Sequence, residues 1–222
     1  MRWLVLAGAL LAASCGTGAE FVESRYAEGG RLRFRGVVEH AQERPRMHGE
    51  WVFWYRGGGV QARGSFQDGA PLAPANLEGE RTRIPPEGRN GPWTFWSEAG
   101  QPLARGDYSS GLRHGWWTTW FASGQRCCAG RFEFGRPVGV HVSWHESGLV
   151  REERSYLHGV LHGFCRLWDD QGQIVWEGRY RSGFPESAAG LAPRAVDVHG
   201  ESCADALEAR ERPAAVVAAA PR

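Results

Sequence analysis

The sequence lacks lysine, an excess of charge of either sign, and a hydrophobic run long enough to cross a bilayer. All 26 basic residues are arginine and they face 25 acidic residues, so no strong electrostatic field favours nucleic acid or an anionic membrane surface. The uncharged run near the N-terminus, residues 3–13, contains 11 residues, whereas a transmembrane helix needs about 20. No segment before residue 200 carries an apolar stripe of helical period. These absences argue against nucleic-acid-binding proteins, helical membrane proteins and helical bundles.

Motifs for catalysis and metal binding are also missing. The sequence contains no Gly-x-Ser-x-Gly elbow and no P-loop. The acid pairs Glu152-Glu153 and Asp169-Asp170 are adjacent, so their side chains point to opposite faces of a strand and make a poor acid/base couple. Histidines gather near turns, but no carboxylate or thiolate recurs at a ligand distance from them. We therefore predict a protein with no enzymatic activity, no metal and no cofactor.

The N-terminus has the pattern of an export signal. Arg2 supplies a positive charge, and the short uncharged run that follows ends in small residues. The segment Leu11-Ala12-Ala13-Ser14-Cys15 resembles the lipobox of bacterial lipoproteins, in which the cysteine is lipidated and becomes the new N-terminus. We expect a signal peptide over residues 1–14, lipid attachment at Cys15 and a tether over residues 15–28; the alternative is an ordinary signal peptide with a chance cysteine. The resemblance implies export and lipid anchoring to a bacterial membrane, at the outer membrane or its periplasmic face in a Gram-negative cell.

A unit of 24 residues repeats within residues 29–183. Each copy has a leading glycine, a second glycine nine residues later, a third after six more, an aromatic residue two further on and a last glycine after three more. The leading glycines are Gly49, Gly91, Gly115, Gly139 and Gly163, and a half-copy with Gly30, Gly36 and Val38 precedes them. Arg154 replaces the third glycine in one copy, and an insertion at about residues 70–87 follows the first copy.

Within each copy the local pattern predicts a β-hairpin. The leading glycine opens a run of aromatic and β-branched residues of strand length, such as Trp51 to Tyr55. A polar segment ending in glycine, such as Asp170-Gln171-Gly172, reverses the chain, and a second short turn such as His158-Gly159 leads into the next copy. Because these connections are short, successive strands should pair as antiparallel neighbours. The predicted fold is all-β, an open single-layer antiparallel meander of stacked hairpins, with an Ala/Pro-rich and mostly disordered tail over residues 184–222.

The pattern Tyr108-x-x-Gly111-x-x-x-Gly115-Trp116, with its later copies, resembles the MORN repeat in the variant found in bacterial proteins described as YwqK-family antitoxins. The resemblance covers about residues 29–183. It implies hairpins stacked in a twisted single-layer sheet with no enclosed catalytic cleft. For function it implies a scaffold, a protein-binding surface or, in some cases, a lipid-binding element.

One tryptophan recurs five residues after every leading glycine. These candidate ligand-binding residues are Trp54, Trp96, Trp120, Trp144 and Trp168. Equivalent rings in stacked hairpins should lie two strand spacings apart, about 9–10 Å. Two interpretations stay open: either each ring covers the repeat glycines and touches the aromatic of the Tyr108 class, or the rings form an exposed platform for a ligand. The opposite strand face starts apolar at Trp51 and Phe53 and becomes more polar at His141 and Ser143.

These features predict a non-catalytic interaction module that is anchored to a membrane and binds an unidentified protein partner through its repeat sheet. One alternative is a receptor for a glycan or cell-wall ligand that uses the five tryptophans. Another, implied by the family resemblance, is antitoxin-like neutralisation of a partner protein. Four further cysteines, Cys127, Cys128, Cys165 and Cys203, could form a disulfide in an exported protein, but their spacing does not define a pairing.

Overall fold

The computed structural model describes residues 18–27, 29–40, 45–71 and 84–186, and these ranges contain strands and turns but no helix. Thirteen antiparallel strands form one sheet in which the spatial order is the order of the chain. The predicted fold class, an open single-layer antiparallel meander of hairpins, is therefore confirmed. Within the described ranges nothing helical is long and apolar enough to cross a membrane.

The strands follow the repeat, with two strands to each copy. They are β1 (Ala19–Arg25), β2 (Leu32–Glu39), β3 (Arg46–Trp54), β4 (Val60–Phe66), β5 (Arg89–Trp96), β6 (Pro102–Ser109), β7 (Leu112–Trp120), β8 (Arg126–Glu133), β9 (Arg136–Trp144), β10 (Val150–Leu157), β11 (Val160–Trp168), β12 (Ile174–Arg181) and β13 (Phe184–Pro185).

Two kinds of turn alternate along the sheet. A two-residue turn joins consecutive copies, and both of its residues have positive φ, as at Phe134 (47°) and Gly135 (80°). This is type I′ geometry, whose twist matches that of the flanking strands, and it favours glycine because glycine has no Cβ. The Gly135 N–H donates to the Arg113 carbonyl oxygen at 2.8 Å, so the turn is also tied to the preceding copy. At the opposite edge the Phe121 N–H donates to the Gln125 carbonyl oxygen at 2.8 Å and closes the hairpin.

The apolar core lies on one side of the sheet, which we call the buried face. Its tryptophans, Trp51, Trp93 and Trp117, stand two residues after the leading glycines and are at most 3% exposed. Each indole covers the glycine of the preceding strand: a Cβ added to Gly64 would lie 2.5 Å or less from three ring atoms of Trp93. The repeat aromatic packs edge-on against the same indole, with centroids 4.9 Å apart for Tyr108 and Trp117. A single-layer sheet thus acquires a core because its own rings cover its own backbone.

A bulge at each leading glycine makes this packing possible. Between the pairs Arg63–Thr94 and Ser65–Asn90, one residue of β4 faces three residues of β5. The extra residues bend β5 and turn the Trp93 ring back over β4. The indole N–H of Trp93 then donates to the Ser65 carbonyl oxygen at 3.1 Å, so the buried ring leaves no unsatisfied donor.

The end of the insertion closes the buried face around Arg89. Nε and Nη2 of Arg89 donate to the carbonyl oxygens of Pro85 and Ile84 at 2.9 and 2.8 Å. Nη1 donates to the Tyr108 hydroxyl at 3.0 Å, and the guanidinium carbon lies 5.1 Å from the ring centroid of Trp93. Because this buried cation holds two carbonyl oxygens of the insertion, it fixes the insertion against the aromatic core.

The sheet extends beyond the repeat array at both ends. Residues 19–25, which the sequence analysis assigns to a tether, form β1, and Val22 packs against the core. The glycine pattern misses β1 because pairing with an open sheet edge needs only backbone groups. Phe184–Pro185, assigned to the tail, form β13. The expected signal peptide, Cys15, residues 72–83 of the insertion and the tail beyond Glu186 lie outside the described residues.

Candidate binding surface

The five candidate tryptophans form a row on the side of the sheet opposite the core, which we call the open face. All five, Trp54, Trp96, Trp120, Trp144 and Trp168, are half-buried. Each one pairs with the first residue of its return strand, as Trp120 does with Arg126. Since the register is the same in every copy, the rings occupy equivalent places along the edge at which the hairpins turn. We call this row the tryptophan ladder.

The ladder does not cover the repeat glycines. Trp51 and its equivalents on the buried face do so, and they also touch the aromatic of the Tyr108 class. The interpretation that gave this role to the ladder is therefore wrong, because the bulge places the second residue after the leading glycine, and not the fifth, over the preceding strand. The sequence does contain a signal for the correct position. The residue two after each leading glycine is large where the residue that it faces is glycine, and small where that residue is large. Rings at Trp51, Trp93, Trp117 and His141 cover Gly36, Gly64, Gly106 and Gly130, whereas the small Cys165 pairs with Arg154.

Three exposed apolar side chains form a second row on the open face, which we call the apolar row. Trp116, Val140 and Phe164 directly follow the leading glycines of the last three copies and are 66%, 51% and 56% exposed. The first two copies have Glu50 and Pro92 at this position. Neighbours in the row are two strand spacings apart, about 9–10 Å. Sequence reasoning missed this row, although an apolar residue next to the leading glycine in three consecutive copies could have revealed it.

Arginines surround the apolar row. Arg131 pairs with Trp116 across β7 and β8, and Arg179 pairs with Phe164 across β11 and β12. The guanidinium carbons of Arg179 and Arg166 lie 5.2 and 5.6 Å from the Phe164 ring centroid. Their ion pairs, such as Arg131 with Glu133 at 3.2 Å, are exposed. Such pairs stabilise little, so the guanidinium groups can exchange partners at low cost.

The open face also has a groove in its N-terminal half. The groove has a volume of about 760 Å³, and its lining includes Phe21, Val52, Val60 and Trp96 from four different strands. This size is within the usual range for ligand pockets. The groove and the apolar row lie on the same side of the sheet, so the open face offers a recessed half and a projecting half.

The buried face changes from apolar to polar after Trp117. The sequence pattern predicted this change from apolar to polar residues along the array. Along the strands that follow, smaller or polar side chains take the positions held earlier by tryptophan, phenylalanine, alanine and glycine. The side chains of Thr119, Cys128, His141, Ser143, Glu152 and Arg154 line a half-open depression of about 50 Å³, which we call the polar recess. Its apolar walls are Trp117 and Phe132. A cavity of this volume has room for a few water molecules or for a small side chain.

Burial controls the charges in and beside the polar recess. Arg154 donates to the Glu152 carboxylate. Burial disfavours the charged guanidinium, but Glu152 and Tyr156 together outweigh burial and raise the pKa of Arg154. Burial, reinforced by Glu152, raises the pKa of the Cys165 thiol to about 11. Burial lowers the pKa of His141, whose Nε2 lies 2.8 Å from the Arg131 carbonyl oxygen. At neutral pH the thiol is protonated and the imidazole is neutral, so this cluster is unsuited to thiolate chemistry.

The cysteines differ in their bonding. Cys127 and Cys165 are thiols, whereas Cys128, which lines the polar recess, is disulfide-bonded. In the part of the chain that the structure describes, no three His, Cys, Asp or Glu side chains come together in a way that could hold a metal ion.

No protein-family model matches the chain, and no curated protein is similar to it at a significant level.

Proposed function

We propose that the protein is a non-catalytic interaction module that binds a partner protein through its open face and is held at a bacterial membrane by a lipid on Cys15. The observation that carries the proposal is the apolar row of Trp116, Val140 and Phe164. Exposed apolar patches on soluble proteins mark interaction sites, and these three side chains repeat at one position of consecutive copies on one face. The first two copies have no such row, so it is not a requirement of the repeat fold.

The composition of the row suits protein recognition. Aromatic side chains with arginine neighbours dominate the residues that carry most binding energy at protein interfaces. With a full surface of about 150–250 Å² for each aromatic side chain, Trp116 and Phe164 together present roughly 200–300 Å² to solvent. We infer a partner with apolar side chains opposite the row and carboxylates opposite Arg131 and Arg179.

The rigidity of the sheet supports tight binding. The three side chains of the row stand on strands held by backbone hydrogen bonds on both sides, so little backbone conformational entropy is lost when a partner binds. The tryptophan ladder lies farther along the same strands and widens the contact surface. This arrangement agrees with what the resemblance to MORN repeats implies, namely a scaffold or a protein-binding surface.

The membrane part of the proposal depends on the sequence alone. The lipobox-like segment ending at Cys15 would supply acyl chains, each contributing about 0.8 kcal/mol per buried CH₂. Replacing Cys15 with alanine should release the protein from the membrane fraction. A Cys15→Ala protein that stays membrane-bound would contradict the lipid anchor while leaving the binding surface untouched.

The binding part is tested by removing the row and keeping the fold. The double variant Trp116→Ser/Phe164→Ser removes both aromatic anchors. Phe134→Asn is the matched control, because Phe134 is 62% exposed on an inter-repeat turn and its φ of 47° is one that asparagine tolerates. Tagged full-length proteins are captured from detergent-solubilised membranes of the source cells, and co-purified proteins are quantified by mass spectrometry.

We expect one co-purified partner protein to be recovered equally with wild type and with Phe134→Asn. Its recovery with the double variant should be lower by at least about 30-fold, which corresponds to the loss of one interfacial hot spot. Equal recovery with all three proteins would contradict the proposal. So would a soluble glycan that shifts the tryptophan emission of wild type while no protein depends on the row. That second result would instead assign the tryptophan ladder to glycan binding.

A further inference from the structure

The polar recess contains a disulfide-bonded cysteine whose partner is not among the described residues. Cys128 is disulfide-bonded, and Cys165 and Cys127 keep their thiols. Cys127 is also the direct neighbour of Cys128 on β8, and neighbours on a strand point to opposite faces. The sequence contains five cysteines, so Cys15 and Cys203 are the two that remain.

We propose that the C-terminal segment around Cys203 docks in the polar recess and is held there by a disulfide bond between Cys203 and Cys128. Cys15 is the less suitable partner, because a lipidated cysteine has no thiol to oxidise. The segment would cover the polar recess, which the aromatic core leaves half-open. This occupant belongs to the chain itself and lies on the side opposite the proposed partner surface.

The chain is long enough to reach the recess. Glu186, the last described residue, is hydrogen-bonded beside β12, where its N–H donates to the Arg179 carbonyl oxygen at 2.8 Å. From Glu186, on the β13 side of β12, to Cys128 on β8 is five strand spacings, about 24 Å. The 17 residues from Glu186 to Cys203 have a typical end-to-end distance of about 20–25 Å even as a flexible coil. The cross-link therefore demands neither a stretched linker nor a change in the sheet.

The charges of the two surfaces are complementary. Arg113, Arg151 and Arg154 line the recess, with Glu152 as its single acid. The tail carries four acidic side chains around the cysteine, at Glu201, Asp205, Glu208 and Glu211, against two bases, Arg210 and Arg212. The carboxylates of the tail would lie beside the guanidinium groups of this lining, where Arg154 already binds Glu152.

The apolar groups also match. In a helical conformation of residues 203–210, Leu207 would lie one turn from Cys203 on the same face. With the disulfide at Cys128, Leu207 would lie against the recess walls, Trp117 and Phe132. The hydroxyl oxygen of Thr119 is buried at the recess without a hydrogen-bond partner, and a docked segment would supply polar backbone groups nearby.

Formation of the bond is a two-electron oxidation. The two thiols lose two protons and two electrons as the Sγ–Sγ bond forms, and a protein disulfide of the exported compartment accepts them and becomes a dithiol by thiol–disulfide exchange. The proposal thus requires the export that the N-terminal sequence predicts.

Peptide mapping of the full-length protein tests the pairing. The protein is isolated with N-ethylmaleimide present to trap thiols, and it is digested with trypsin without reduction. Cleavage at arginine places Cys127 and Cys128 in residues 127–131, Cys203 in residues 195–210 and Cys165 in residues 155–166. We expect the first two peptides to be linked, with the link kept in Cys127→Ser and lost in Cys128→Ser. A link from Cys128 to Cys15, or an alkylated Cys128, would overturn the proposal.

Docking is tested separately from the bond. Trypsin cleavage after Arg210 of the folded protein should be at least about tenfold slower in wild type than in Cys203→Ser, because a docked segment must open before it is cut. Cleavage after Arg56, in the turn between β3 and β4, is the control and should be equal in both proteins. Equal rates after Arg210 would mean that the tail is tethered without docking, and this would refute the occupied recess.

Discussion

Gly64 is the position at which the packing of the buried face can be tested most directly. Its φ is not in the left-handed region, so alanine meets no backbone strain there. An added Cβ would nevertheless lie 2.5 Å or less from three atoms of the Trp93 ring. Carbon atoms pack best at about 3.5–4.0 Å, so the ring must move by about 1 Å or more. Trp93 is fully buried among Phe66, Phe95 and Tyr108, and it has little room to move.

The expected loss for Gly64→Ala is about 3 kcal/mol in the free energy of unfolding. Overpacking of a dense core typically costs about 1–3 kcal/mol, and displacement of the indole also strains its hydrogen bond to the Ser65 carbonyl oxygen. For a chain of this size each kcal/mol lowers the melting temperature by about 2–4 °C. We therefore expect the melting temperature to fall by about 6–12 °C.

Alanine substitutions at two other glycines serve as controls. They separate the loss of stability caused by a steric clash from the loss caused by backbone strain. Gly91→Ala has open space for a Cβ but a φ of 67°, so only backbone strain of about 1 kcal/mol applies. Gly57→Ala has neither obstacle and should stay within about 0.5 kcal/mol of wild type. Thermal and urea unfolding, monitored by far-UV circular dichroism, rank the three variants by their free energy of unfolding. If Gly64→Ala were no less stable than Gly57→Ala, the argument that rings on glycines form the core would be refuted.

Three further predictions concern the same face. Arg89→Lys should lose about 2 kcal/mol, because the three bonds of Arg89 start from three nitrogens of a planar guanidinium, whereas the donors of lysine share one nitrogen and cannot reach all three acceptors. A melting temperature equal to that of the exposed control Arg105→Lys would contradict this. The folded state favours the protonated Cys165 thiol, so the contribution of Cys165 to stability should be complete below about pH 9 and decline as the pH rises toward about 11. The decline should be flatter in Cys165→Ala, and an identical pH profile of the urea midpoint in the two proteins would disprove the prediction. Arg154→Gly alone should lose about 3 kcal/mol by leaving the Glu152 carboxylate unpaired, whereas Glu152→Ala/Arg154→Gly/Cys165→Trp rebuilds the arrangement of the earlier copies and should regain the loss. A triple variant no more stable than Arg154→Gly would show that this copy does not follow the packing of the others.

Much of the fold could be predicted from local chemistry. Glycines at constant spacing define where the chain can reverse, and runs such as Trp51 to Tyr55 favour strands. The register of each hairpin follows from its turn, so equivalent residues, including the tryptophan ladder, had to come into a row. Strand β1 escaped prediction because it joins the sheet through backbone pairing and carries none of the glycine pattern.

The candidate site was predicted less well. The ladder was found because its spacing is constant, but the apolar row was missed because Glu50 and Pro92 interrupt it in the first copies. Its importance becomes visible only when exposure is known. The polar drift from Trp51 to His141 was visible in the sequence, while the recess it creates depends on the contacts between strands.

The amino-acid sequence by itself determined the hairpins of the repeat array and their order, because these depend on turn residues and alternation within about 24 residues. Only the tertiary structure decided which side of the sheet is the core. Both sides carry tryptophan, so alternation cannot distinguish them. The decision comes from the bulge between neighbouring hairpins, which lays Trp93 on Gly64 and leaves Trp96 on the open face. That contact joins residues of different copies, and no pattern within a single copy contains it.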